Sequence, residues 1–351
     1  MDSRAWFKLQ LLFNNIERDM PQHLQERTRL TVSQARELAE AVVRKLSYTP
    51  EESAIIAEHV IDAGLCGYEY SGLPKLLDAI ESKRNDIPRT PMKVIKETPV
   101  SIVFDGGNNI GMLAIQRLGE AVRAKASVTG FAIGGVQNSW MSGRGAHYVE
   151  KLVNADLVTI HTVSSQSYVA PLGGIESLLG TNPLTIGLPT ANGPLIFDMG
   201  TSAIMYTDLT LRERRGERLP EGVAIDAQGN PTQDPTAARA GALLPFGGHK
   251  GFGLALMMHA MGLLTGSGTS VDKNNGHLII AFRPDLMYDT EQYKQDVTAL
   301  LTRIKHSKRA PGVDEIRIPS ERSFKERARH LKEGLEFDTA IFNRLREFAG
   351  V

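Results

Sequence analysis

The sequence predicts an α/β protein with a mainly buried mixed sheet and a discontinuous helical lobe contributed by its two ends. Three observations carry that prediction. Between Ser101 and Phe282, short apolar runs of strand length alternate with helical patterns, as in a sheet covered by helices. Ahead of this stretch, and again from Glu291 onward, apolar residues recur at helical spacing. Finally, from Leu243 to Gly266 a glycine-rich turn runs into a segment apolar on nearly every face, which predicts a helix buried on all sides.

Taken in order, the chain opens with Trp6, Leu9, Phe13 and Ile16 at helical spacing, broken by charged and polar residues. That is an amphipathic segment without the uninterrupted core of a signal peptide. Thr31 to Gln34 resembles a capping box ahead of Leu38, Ala41, Val42 and Leu46. Thr49-Pro50-Glu51-Glu52 is a better one, with proline at the first helical position. A polar and aromatic loop from Tyr68 to Lys75 leads into a third helix, with Ser71 readable as its N-cap and Tyr70 as a packing residue.

Strands are expected at 101–105, 131–136, 157–161, 184–188, 195–198 and 278–282, and helices at 112–126, 145–155, 201–213 and 250–265. Turns are expected at 106–109, 137–139, 180–183 and 198–202, with a hairpin-like excursion over 219–231 that turns at Gln228-Gly229-Asn230. The helices after Glu291 are expected to pack on the opening ones. The division that follows is a helical extension over 1–28, a helical lobe of 29–98 with 290–351, and an α/β domain over 99–289.

Composition excludes several functions. The 351 residues hold 42% hydrophobic and 23% charged side chains, ordinary for a globular protein. Lys plus Arg and Asp plus Glu balance at 40 each, so no global field draws nucleic acid or an anionic membrane. The runs Arg212–Arg218 and Lys305–Arg309 read as solvated faces. The single cysteine, Cys66, fits a reducing compartment, and no apolar run is long enough to span a bilayer; a cytoplasmic protein is expected. The nine histidines show no metal spacing, and His59 and His259 fall within apolar helices as core or capping residues. No Gly-x-Ser-x-Gly elbow, Walker loop or Gly-x-Gly-x-x-Gly fingerprint is present.

What remains is a candidate anion site. Gly247-Gly248-His249-Lys250 opens a helix, where free N–H groups and the dipole favour negative charge. Polar turns at strand ends lie where α/β folds place ligand contacts. The residues able to do chemistry are Tyr70, Ser71 and Lys75 on one loop, Asp208, and His249 with Lys250.

Gly180-Thr181-Asn182-Pro183-Leu184, Phe197-Asp198-Met199-Gly200-Thr201-Ser202, Leu219-Pro220-Glu221-Gly222 and the run Leu244 to Gly253 occur in an order and spacing that resemble the malate/L-lactate dehydrogenase-type oxidoreductases. That family includes ureidoglycolate, sulfolactate and diketogulonate dehydrogenases and the Δ1-piperideine-2-carboxylate/pyrroline-2-carboxylate reductases. The resemblance covers about residues 30 to 350. It implies a cytoplasmic homodimer with a non-Rossmann nicotinamide-binding fold, passing hydride between NADP or NAD (NADPH slightly favoured) and C2 of a small 2-oxo, 2-hydroxy or cyclic imino acid.

By position the resemblance implies cofactor contacts at Met141, Ser142, Gly143, Arg144, Gly145, Asp198, Met199, Gly200, His249, Lys250, Pro319, Ser320, Glu321 and Arg322. It implies substrate contacts at Lys75 and Thr181, with Asp208 as the carboxylate that orients a catalytic histidine. The chain departs from the family where Ser-His-Gly is replaced by Tyr70-Ser71-Gly72 and where the histidine of Asn-Ser-x-His is Met141. A hydroxyl cannot replace imidazole as a base near neutral pH. Tyr70 is left as a proton donor, with a nearby ammonium such as Lys75 expected to lower its pKa, or the substrate is an iminium that already carries its proton. Reduction is therefore expected, imine ahead of ketone. The alternative is a relative that binds the cofactor for a regulatory or different biosynthetic redox role.

Overall fold

The computed structural model describes residues 26–268 and 275–351; the amphipathic segment around Trp6–Ile16 lies outside them. The chain enters through β1 (Arg27–Leu30), then α1 (Val32–Lys45) and α2 (Pro50–Leu65). Both helices begin at the expected capping boxes. Thr31 Oγ1 accepts from the Gln34 N–H at 3.2 Å while Gln34 Oε1 accepts from the Thr31 N–H at 2.9 Å. Thr49 and Glu52 repeat the arrangement at 3.3 and 2.9 Å, with Pro50 in the first turn. Each box satisfies two N–H groups that would otherwise be orphaned at a helix start. After a single turn at Glu69–Ser71, α3 (Lys75–Ile80) starts behind Pro74 with no side-chain cap. Ser71 is therefore not the N-cap of this helix: it lies a full turn upstream, its own N–H donating to the Tyr68 carbonyl at 3.0 Å.

Next come β2 (Lys93–Thr98), β3 (Ser101–Ile110), α4 (Gly111–Thr129), β4 (Phe131–Trp140), α5 (Gly145–Val153), β5 (Val158–Ser164), β6 (Leu184–Leu188), β7 (Leu195–Met199) and α6 (Tyr206–Arg215). The short β8 (Ala224–Ile225), α7 (Pro235–Ala240) and β9 (Ala242–Leu243) precede α8 (His249–Leu263) and β10 (Asn275–Phe282). The chain closes with α9 (Thr290–Lys305), α10 (Glu321–Glu333), β11 (Leu335–Asp338) and α11 (Thr339–Ala349). The central sheet has seven strands in the order β2-β3-β4-β10-β5-β6-β7. Only β3 and β4 pair in parallel, across the crossover helix α4, so the sheet is mixed.

The Gly106–Asn109 and Gln137–Ser139 segments, expected as turns, are strand continuations. β3 and β4 resume pairing at Asn109↔Ser139 and Ile110↔Trp140 beyond an irregularity that takes Gly107 and Asn108 to positive φ. The excursion over 219–231 does turn as expected: Asp226 Oδ1 accepts from the Gln228 and Asn230 N–H groups, both at 2.9 Å.

One continuous core joins both ends of the chain. Val42 and Val43 of α1, Ile56 and Val60 of α2, Leu76 of α3, Ile110, Trp140 and Leu345 of α11 belong to it, and β11 pairs with β1. Of the helices after Glu291, α9 does not join them. It lies against the β6–β7 connection, where the Ala191 N–H donates to Thr298 Oγ1 at 3.0 Å, and Val297 is its buried residue. α8 also departs from expectation. Gly251, Ala255, Met258 and Gly262 face inward, but Leu254, Leu256 and Met257 are 37, 45 and 53% exposed. A helix apolar all round suits either an interior or a contact with another chain, and among the described residues one face has no cover. No helix among the described residues is long and apolar enough to cross a membrane.

His161 of β5 and His277 of β10 sit side by side in the sheet with ring centroids 6.3 Å apart, and none of their four ring nitrogens has a partner among the described residues. Burial lowers His161 to about 4, and burial with the neighbouring His161 lowers His277 to about 3. Because both folded values lie below the unfolded value near 6.5, the unfolded chain takes up protons first as pH falls. Stability is then complete above about pH 6.5 and lost below it, each histidine costing roughly 2 kcal/mol by pH 5. Urea denaturation at pH 7.5 and pH 5.0 is expected to show this loss, and His161→Leu to reduce it. An unchanged pH dependence in the variant would remove His161 from this role.

Candidate active site

Five segments distant in sequence meet at one end of the sheet. The first is the turn carrying Tyr68, Tyr70 and Ser71, placed by the end of α2. The second is the connection between β4 and α5, residues 141–145. Met141 and Gly143 both take positive φ there, at 60° and 70°, so the chain doubles back sharply. Gly143 is needed for space as well as conformation: a Cβ on it would fall 2.1 Å from His59 Nε2. His59, buried in α2, accepts the Arg144 N–H at 2.8 Å through that nitrogen, and the Tyr148 hydroxyl donates to the Ser142 carbonyl at 2.5 Å.

β7 supplies the third segment. Asp198 Oδ2 accepts the Ala146 N–H at 2.8 Å and Oδ1 accepts the Thr185 hydroxyl at 2.8 Å. The carboxylate thus sits at the start of α5, where the dipole favours it. Met199 and Gly200 follow it to Thr201, whose N–H and hydroxyl donate to the Thr181 carbonyl at 2.8 and 3.0 Å.

The fourth segment is the approach to α8. The Phe246 N–H donates to the Thr201 carbonyl at 2.9 Å, which brings Gly247-Gly248-His249-Lys250 beside the Asp198–Gly200 run. Gly247 and Gly248 take φ of 58° and 62°, a conformation that favours glycine. The helix start has no side-chain cap, and His249 and Lys250 are exposed. Buried Asn182 ties this helix down by donating its amide to the Ala255 carbonyl at 3.0 Å. Free N–H groups, a dipole and two basic side chains fit the phosphates of a dinucleotide.

The fifth is Pro319–Arg322 at the start of α10. Ser320, at φ 63°, donates its hydroxyl to the Ile196 carbonyl at 2.8 Å, and Glu321 pairs with Lys305. Next to it, Ser323 Oγ lies 3.1 Å from the Tyr68 hydroxyl. The guanidinium groups of Arg144 and Arg322 each lie 5.3 Å from the Tyr68 ring centre.

Burial pushes the Tyr70 hydroxyl well above its ordinary value, and Tyr68, Asp208 and Asp198 push the same way against Arg322. This reverses the expected lowering by Lys75. Lys75 is buried and turned to Asp78 at 3.4 Å, while Asp78 also meets Arg214 at 2.8 Å. Burial pulls the Lys75 ammonium down and Asp78 opposes it. Asp208, in the first turn of α6, faces Arg212 at 3.2 Å, and burial still raises its carboxyl above the usual range.

An ion network that the sequence did not signal underlies these segments. Asp62, one turn after His59 on α2, meets Arg144 at 3.1 Å, His147 Nδ1 at 3.0 Å and Arg327 at 2.8 Å. Arg327 also grips Glu150 through two bonds of 2.6 Å. Burial works to raise Asp62, but the His147 hydrogen bond and the Arg144 and Arg327 charges overcome it and hold its carboxyl well below the usual range. His59 and Asp62 three residues apart on one helix face is the trace this leaves in the sequence.

This fold is a mixed α/β one, with an uncapped helix start at His249 beside the Asp198–Gly200 run. Its residues 30–346 match the malate/L-lactate dehydrogenase family, and the chain belongs to that family. It is 32% identical over 318 residues to the L-sulfolactate dehydrogenase of Methanocaldococcus jannaschii, covering 87% of this chain and 92% of that one. The Δ1-pyrroline-2-carboxylate/Δ1-piperideine-2-carboxylate reductase of Pseudomonas syringae pv. tomato is also 32% identical, over 327 residues, covering 86% and 91%. A dehydrogenase structure from Sinorhizobium meliloti superimposes with a TM-score of 0.86 at 28% identity, over 93% of this chain and 99% of that one. Members of the family are nicotinamide-dependent oxidoreductases, and these relatives are named for dehydrogenation or reduction of small acids.

Removing the Asp62 charge leaves Arg144 and Arg327 short of a buried partner. Asp62→Asn is expected to cost about 3 kcal/mol, read by urea denaturation at pH 7.5. It should also speed hydrogen exchange at the Arg144 amide, and unchanged exchange would show that Asp62 does not hold the segment.

Proposed function

We propose that this protein is an NAD(P)H-dependent reductase delivering hydride to C2 of a small cyclic imino acid, with a 2-oxo acid as the next candidate and NADPH slightly favoured. The observation that carries the proposal is the acidic surrounding of Tyr70. A buried hydroxyl raised by burial and by the charges of Asp208 and Asp198 stays neutral, and the two carboxylates favour positive charge nearby.

A protonated C=N group matches such a pocket. As hydride arrives at C2, the C=N electron pair moves to a nitrogen that already holds its proton, and a cation becomes a neutral amine. No acid is required. A ketone instead needs a proton at oxygen during the same step, and the raised Tyr70 O–H gives one up poorly. In this reading Asp208 stabilises the iminium, and Ser71 and Tyr70 shape the pocket beside it.

Bound reduced nicotinamide supplies the hydride. His249, Lys250 and the start of α8 would hold its phosphates, with the backbone of Asp198–Gly200, Met141–Gly145 and Pro319–Arg322 lining its path. We assign Lys75 and Thr181, both buried, to the substrate carboxylate. Lys75 meets Asp78 at 3.4 Å, more loosely than Arg214 does at 2.8 Å, so a carboxylate ligand can draw the ammonium across. We also propose a homodimer, with a second copy covering Leu254, Leu256 and Met257.

Fluorescence titration with NADPH and NADH, followed by cofactor oxidation with cyclic imino acids and 2-oxo acids, tests the activity. Turnover on imines ahead of 2-oxo acids is expected. Asp208→Asn should lower kcat on imines about a hundredfold with little change in NADPH affinity, and Tyr70→Phe should affect 2-oxo acids more than imines. Cofactor binding with no turnover on any substrate would overturn the reductase reading in favour of a repurposed relative.

Sedimentation velocity tests the assembly: a dimer is expected, converted to monomer by Met257→Glu. A monomeric unmodified protein would end that part of the proposal.

A further inference from the structure

A cleft of about 270 Å3 opens behind the segment that leads into the site, lined by Lys45, Tyr48, Arg84, Arg89, Asn108 and Trp140 among others. No Asp or Glu lines it among the described residues. Of its three cations only Arg89 is neutralised among the described residues, meeting Glu52 at 2.7 Å and lying 4.2 Å from the Tyr48 ring centre. Arg84 differs. Its Nε is buried without a partner among the described residues, and burial, with no opposing charge, pulls its guanidinium below the usual arginine range.

Asn108 supplies the complementary group. It is 5% exposed and donates its amide to the carbonyls of Arg84 at 3.1 Å and Ile87 at 2.7 Å, leaving its Oδ1 without a partner. Native proteins rarely leave a buried donor atom and a buried acceptor atom unfilled. Together they ask for a ligand with anionic oxygens for Arg84 and one O–H for Asn108. Hydrogen phosphate carries both. Lys45, in the last turn of α1, adds charge at the rim and offsets the negative end of that helix.

We propose that this cleft binds a small hydroxyl-bearing oxyanion of the hydrogen phosphate type, held by Arg84 and Lys45 with its O–H directed to Asn108 Oδ1. The site is wired to the active-site segment. The Trp140 ring N–H donates to the Asn108 carbonyl at 3.0 Å, and Trp140 immediately precedes Met141. Occupation of the cleft therefore bears on the backbone that shapes 141–145, whatever that segment binds.

Trp140 is also the reporter. The chain has two tryptophans, so Trp6→Phe leaves Trp140 alone to be followed. In that protein, inorganic phosphate at pH 8 and constant ionic strength should change the fluorescence saturably. Sulfate, which matches phosphate in shape but carries no proton there, should bind at least about tenfold more weakly. Arg84→Gln should weaken phosphate binding by at least about tenfold with an unchanged Tm. Should that variant unfold, exposed Lys45→Gln, expected to weaken binding severalfold, replaces it. The proposal is overturned by a response that tracks ionic strength alone, by equal affinity for sulfate, or by phosphate affinity that survives both substitutions.

Discussion

His59 and Asp198 grip the connection between β4 and α5 from opposite sides, and the arrangement of the site depends on that grip. One accepts the Arg144 N–H at 2.8 Å and the other the Ala146 N–H at 2.8 Å. A chain reversing through positive φ at Met141 and Gly143 exposes polar backbone that must find partners. A neutral imidazole from the helical layer and a carboxylate from the sheet provide them. His59 must stay neutral to accept, and burial, with the nearby His147 opposing Asp62, depresses its protonation well below the ordinary range. Asp62 then fixes the Arg144 side chain, so backbone and side chain are held by two residues of the same helix.

The same economy of burial governs the chemical end. Burial raises both Tyr70 and Asp208, and Arg212 opposes the shift at Asp208. Such a pocket disfavours an additional anion and accommodates a cation. Arg322, over the Tyr68 ring, is the counterweight that keeps this end from being uniformly acidic. A substrate with a positive centre and a carboxylate matches a site whose charges are divided in this way.

Local rules were legible in the residues: the two capping boxes, six strand cores, and the Asp226 turn. What escaped was decided by partners remote in sequence. β2 was missed because an edge strand exposed along most of its length carries little apolar signal. The glycine and asparagine positions at 106–109 read as a turn because only pairing with β4 beyond them shows that β3 continues. β11, Leu335-Glu336-Phe337-Asp338, alternates correctly but was absorbed into flanking helical patterns. At the site, motifs gave the segments, whereas the assignment of Lys75 to lower Tyr70 failed because proximity in sequence put the ammonium on the same loop, where it turns to Asp78, while burial and the nearby carboxylates set Tyr70 instead.

α8 joins two aspects of the molecule that sequence periodicity treated as one. Apart from Met258 its inward face is built of small residues, so the helix lies close on β5, where a Cβ on Gly262 would fall 2.2 Å from Ser164 Oγ. Small residues give close approach but little apolar area, so this face alone anchors the helix weakly. Leu254, Leu256 and Met257 carry the larger side chains and point away. Covering them with a second copy would bury the greater part of the helix's apolar surface and fix its axis. Since His249 and Lys250 sit at the start of that axis, the proposed assembly would also preorganise the proposed phosphate contacts.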